Sequence, residues 1–184
     1  MALWDWLKGL FGEEKPEIDP LALSLPDLKK GYMVDYDLKT WQVKSQNKYD
    51  FDGDRADEWE LYSGDDRVYL EGEKDDEYEW AISRKIEFSA LGKEVEDHLT
   101  EQHDPPQEIV YDGIRYAFEE SGGGYFFPDG RVAGDEMIYW DYEDETGEKL
   151  LTLEQWGEGE FEASVGQAVK DYEFRNILPA QQSD

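Results

Sequence analysis

A chain of 184 residues can bury one good core, or two small units sharing one. Its 39% hydrophobic and 15% aromatic content excludes a disordered acidic chain, which would lack Trp, Tyr and Phe. The net charge of −29, from 47 Asp and Glu against 18 Lys and Arg, argues against direct nucleic-acid binding, and the lack of cysteine excludes disulfides, thiolate catalysis and Cys-type zinc sites.

The chain opens with "MALWDWLKGLFG". Leu3, Trp4, Leu7, Leu10 and Phe11 follow helical spacing, and Trp6 widens the apolar arc. Gly12 is placed to cap the helix, and Pro16 and Pro20 break the following linker. Residues 1–27 are therefore expected to form a tethered amphipathic helix and its linker. This helix has three outcomes: folding back as a cap, docking on a partner protein, or lying on a membrane surface. Burying its six apolar side chains is worth of order 10 kcal/mol before ordering costs. Its local charges sum to about zero, so a bilayer surface is permitted without Lys/Arg-driven attraction to anionic lipid. At about 16 Å it is too short to cross a bilayer.

From Gly31 the period changes to two. Trp41 and Val43, Trp59 and Leu61, Val68 and Leu70, and Tyr78, Trp80 and Ile82 alternate with polar or acidic neighbours. Asp/Gly/Ser-rich turns bound the runs, and together they read as an antiparallel meander with one apolar and one acidic face. The turn "DFDGD" invites a calcium-loop reading from Asp50, Asp52 and Asp54. However, Arg55 stands where the bend needs Gly and Leu61 where the closing Glu belongs. Asp52-Gly53 is the better match to a hairpin turn.

Residues 85–106 interrupt the alternation; Phe88, Leu91, Val95 and Leu99 predict one face of a short helix. His98 and His103, the two imidazoles, would point about 140° apart on such a helix, which does not suit a shared metal. Strands then resume in "EIVYDG", "IRYAFEE", "GGYFFPDG", "DEMIYWDYED", "KLLTLEQW" and "EFEASV". Gly122, Gly123 and Gly124 read as a flexible turn, since no helix start or Lys follows to make a phosphate loop. Tyr139, Trp140 and Asp141 are candidate ligand contacts, because aromatic neighbours would raise the carboxyl of Asp141. No second group is matched to Asp141, and no nucleophile–base pair is found.

The two stretches resemble each other, with "EWELY…DRVYLEGE…YEWAIS" parallel to "EMIYWDY…EKLLTLEQ…EFEASV" at offsets drifting from 75 to 83 residues. The expected fold is mostly β: two related antiparallel units, meander or barrel-like, sharing a core, with the short N-terminal helix in addition. The units are placed at 28–84 and 107–178, with a linker at 85–106 and a tail at 179–184. Each unit's apolar face would be covered by the other.

The second half carries a family pattern. "EIVYDGIRYAFEESGGG" followed by "IYWDYEDETGEKLLTLEQWGEGEFEASVGQAV" resembles the bacterial family called domain of unknown function 4178. The first half, with Trp59-Glu60-Leu61-Tyr62, looks like its opening strands, and the likeness spans residues 28–178. The family has no assigned activity, so the resemblance supplies no catalytic residue. It implies a genomic setting near membrane-stress proteins of the phage-shock type and small membrane proteins.

The functional expectation is a non-enzymatic accessory or interaction module without cofactor or metal. A protein partner would meet its N-terminal helix in the cytoplasm, or at the inner-membrane periphery. The alternative is a small-ligand binder or enzyme using acidic and aromatic residues between the two halves. The acidity itself fits salt adaptation, a surface for a basic partner, or mimicry of nucleic-acid charge.

Overall fold

The computed structural model describes residues 22–74 and 76–180. The expected N-terminal helix, with Leu3, Trp4, Trp6, Leu7, Leu10 and Phe11, lies outside the described residues. Among the described residues the fold is mostly antiparallel β, in one sheet of eleven strands with one α-helix.

The first meander comprises β1 (Met33–Tyr36), β2 (Lys39–Phe51), β3 (Asp54–Ser63), β4 (Asp66–Lys74) and β5 (Tyr78–Ile86). The second comprises β6 (Glu108–Tyr111), β7 (Ile114–Phe127), β8 (Asp135–Glu143), β9 (Lys149–Gly157) and β10 (Glu160–Val169). A final strand, β11 (Arg175–Leu178), pairs with β1. The meanders join twice. β5 pairs with β10 over seven residue pairs, and β2 meets β7 over only three, Lys48–Phe127, Tyr49–Phe126 and Asp50–Tyr125. The second junction closes eight strands into a ring.

The turn between β2 and β3 is the hairpin that Asp52-Gly53 predicts. Both residues have positive φ, 59° and 117°, and the Gly53 N–H donates to Asp50 Oδ1 at 3.0 Å. Left-handed backbone at both turn positions matches the twist of the strands it joins.

Strand register sorts the side chains cleanly. Trp59, Leu70 and Ile82 line up across β3, β4 and β5, as do Tyr142, Leu151 and Val165 across β8, β9 and β10. These residues face outward from the ring. On the first half, the outer cluster is covered by residues 22–32, β1 and the C-terminal Phe174 and Ile177. Trp59 fixes that cover by donating its indole N–H to the Leu28 carbonyl at 2.9 Å. On the second half, Leu91, Val95, Leu99 and Ile109 cover Trp140, Tyr142, Leu151 and Leu153.

The expected shared core is therefore corrected in extent: most of the buried apolar side chains lie outside the ring, and only a small cluster is common to both halves. The two larger apolar clusters are separate and each has its own cover; a third, smaller one of Tyr49, Ala56 and Met137 joins the halves inside the ring, and the acidic faces look at one another beside it. The helix, α1 (Lys93–Gln102), is also shorter than expected. Phe88–Leu91 forms a separate 3-10 turn, because Gly92 at φ 91° breaks the helical path between them. His98 lies on α1 and is half-buried, whereas the exposed His103 caps it in the left-handed region at φ 57°.

The glycine turn is corrected too. Gly122, Gly123 and Gly124 lie inside the single 14-residue strand β7. They are small because neighbours press on them: a Cβ on Gly122 would lie 2.8 Å from the Tyr139 ring, and one on Gly124 2.8 Å from the Asp50 carbonyl. Gly here serves close approach rather than a bend.

Candidate ligand-binding cavity

The same alternation that sends Trp and Leu outward sends carboxylates and tyrosines inward. Glu58 on β3 stands directly opposite Glu71 on β4, and Asp141 on β8 opposite Thr152 on β9. Glu154 follows two residues along β9, on the same inward face. These side chains line a cavity of about 470 Å³ to which β2–β5 and β7–β10 all contribute. A second chamber of about 260 Å³ shares Tyr49, Glu71, Asp141 and Glu154 with it and adds Phe51, Met137 and Tyr139. Beside the β2–β7 junction an aromatic group fills the ring. Tyr49 and Phe126 have centroids 4.9 Å apart, Phe51 meets Tyr139 edge-on at 5.0 Å, and Phe126 meets Trp156 at 5.4 Å.

Nine carboxylate residues line the larger cavity, against a single amine, Lys85. Lys85 is already engaged: it pairs with Glu162 and stands 4.0 Å from Glu154. Glu58 accepts from Asn47 Nδ2 at 2.7 Å and from the Tyr49 hydroxyl at 3.4 Å. That hydroxyl also reaches across the ring to Glu154 Oε1 at 3.4 Å. Asp141 accepts from Thr152 Oγ1 at 2.6 Å. Glu71 has no hydrogen bond or ion pair among the described residues, and its electrostatic neighbours are other carboxylates. The indole N–H of Trp156 is buried without an acceptor among the same residues.

Removing a carboxylate from water disfavours its charged form, and like charges add to the effect. Burial, reinforced by Glu58, Asp141 and Glu154, pushes Glu71 to about 8. Burial raises Glu154 to about 7 against the pull of Lys85, and Asp141 to about 6 against its bond from Thr152. Glu58 is raised by burial, partly offset by Asn47. The interior thus favours protonated carboxyls near neutral pH.

Of the candidate contacts named from sequence, Tyr139 and Asp141 line the cavity chambers. Trp140, between them in the chain, points to the opposite face and packs in the outer cluster beneath α1. Glu58, Glu71, Glu154 and Lys85 were missed. A signal for them exists in the sequence: Glu58 and Glu71 fall at matching positions of adjacent strands, where exposed like charges would repel.

Among the described residues no three His, Asp or Glu are placed to hold a metal ion, and no helix is long and apolar enough to cross a membrane. Fold and cavity together define a closed antiparallel β-barrel with an acidic, aromatic-edged interior. The chain belongs to the family described as Domain of unknown function (DUF4178), whose sequence profile matches residues 29–171. A protein of Aquifex aeolicus (strain VF5), itself described as uncharacterized, is 30% identical over 181 residues, covering 97% of this chain and 99% of its own. No solved structure matches the chain.

Proposed function

We propose that this protein is a small-ligand-binding module whose binding site is the interior of the barrel. The observation that carries the reading is the lining: Glu58, Glu71, Asp141 and Glu154 face into a cavity inside the ring, with one amine that is already paired. A carboxylate such as Glu71, turned into the ring without a hydrogen-bond or ion-pair partner among the described residues, costs free energy rather than adding stability. Its retention is explained by something that enters and pairs with it.

The module is also read as two related halves. The β-bulge on β2 lies between Val43 and Ser45, and the bulge on β7 lies between Phe118 and Glu120, 75 positions further on. Left-handed turns precede both long strands, at Asp37-Leu38 and Asp112-Gly113, with the same offset. Like pairs with like at both junctions, β2 with β7 and β5 with β10. A duplicated meander gives a two-fold ring with one central cavity, a geometry suited to a single ligand.

The test is a thermal-shift screen of cationic, neutral and anionic small molecules against the wild type and Ala81→Phe. Ala81 lines the cavity, and a phenyl ring there fills it. Compounds that raise the wild-type Tm by several degrees are expected to lose that effect in Ala81→Phe and keep it in Ala81→Ser. Equal stabilisation of the filled variant, or no stabilising compound at all, would overturn the reading.

A further inference from the structure

Resting on that reading, the geometry points to an aliphatic di- or triamine as the ligand class: a flexible molecule carrying separated ammonium groups. Three observations define this chemistry. First, the one amine of the lining, Lys85, is spent on Glu162 and Glu154, so the incoming molecule must bring its own positive charge. Glu71 shows the need most directly. It is enclosed by the barrel and shared by both chambers, yet has no hydrogen-bond or ion-pair partner among the described residues.

Second, the carboxylates are dispersed. Asp141 and Glu71 come from different halves, Glu58 is tied to Asn47 near the aromatic group, and no three converge on one point among the described residues. A single metal ion needs several oxygens within about 2.6 Å of one centre. A compact monovalent cation would satisfy one carboxylate and leave the rest. An extended amine satisfies several, one ammonium to each.

Third, the space between the carboxylates is walled by rings. Tyr49 and Tyr69 line the larger chamber, and Tyr139 and Phe51 the smaller. Methylene groups pack on such rings, and ammonium groups are attracted to their faces. The two chambers, about 470 and 260 Å³ and sharing lining residues, suit a molecule that threads from one to the other. The exposed Glu73, Glu79, Glu119 and Glu120 ring the mouth and would draw a polycation toward it.

The test is calorimetric titration of the full chain with spermidine at pH 7.5 and 0.15 M salt, with n-butylamine and Mg²⁺ as comparison titrants. One spermidine per chain is expected, without saturable heat from either comparison titrant. Glu71→Gln, with its fold checked by thermal melting, should weaken binding at least tenfold. Glu94→Gln, an exposed change on α1, should bind as the wild type does. Many weak sites insensitive to Glu71→Gln would mean screening of surface charge and would overturn the inference. A wild type that ignores spermidine but is stabilised by neutral compounds, with Ala81→Phe abolishing the effect, would remove the amine and leave the cavity reading standing. No response to any compound would remove both.

Discussion

Glu71 shows what a sequence can and cannot say about a single residue. In "VYLEGEK" it sits at a polar position of a clean alternation, the usual mark of a solvent-facing side chain. Only the closed ring turns that face inward. Asp141 was legible because its aromatic neighbours are adjacent in the chain, although one of them, Trp140, belongs to the other side of the sheet. The energetic consequence of Glu71 can be measured. A carboxyl held at about 8 in the fold and near 4.5 when unfolded is neutral in both states at low pH and imposes no penalty there. As pH rises from about 4.5 to 8, the unfolded chain ionises while the folded one keeps its proton, so stability falls across that window. Glu71→Gln removes this group's share. Its Tm should exceed the wild-type value at pH 8, by of order a few kcal/mol of stability, and match it at pH 4. Glu154 and Asp141 act in the same direction over narrower windows, ending near 7 and 6.

At the scale of elements, the strands were readable because period-two alternation is a local property, and turn chemistry marked their ends at Asp52-Gly53. Two elements were misread for local reasons. The run Gly122–Gly124 looks like a turn until Tyr139 and Asp50 are placed against it, and Phe88 looks helical until Gly92 breaks the path. α1 holds its place through Val95 and Leu99, which sit on the outer cluster of the second half. Leu99→Ala should destabilise the protein by about 2–5 kcal/mol in urea unfolding, the usual cost of an emptied buried Leu site. Gly124→Val tests the close approach at the ring junction. A branched side chain there meets Phe51 and the Asp50 carbonyl. A loss of about 1–3 kcal/mol, typical of overpacking, is expected in the same assay.

For the whole molecule, the general expectation that apolar faces meet in the middle proved the weakest guide. Each half of this barrel keeps most of its grease on the outside under its own cover, so the centre is left to charge and to one aromatic cluster at the β2–β7 junction. Hydrophobic pattern alone cannot tell such an arrangement from an ordinary one, since both alternate identically. What distinguishes them is how much spare apolar chain is available to serve as a cover: residues 22–32 and Phe174–Ile177 on one side, residues 86–111 on the other. The ring itself is unevenly sewn. Neighbouring strands share between six and nine residue pairs everywhere except at the meeting of β2 and β7, which share three. A cylinder with one short stitch unzips there first. Amide protons of Asp50 and Tyr125, which pair across that stitch, should therefore exchange with deuterium sooner than those of Trp59–Leu61 or Val68–Leu70, and a molecule filling the bore should slow them most.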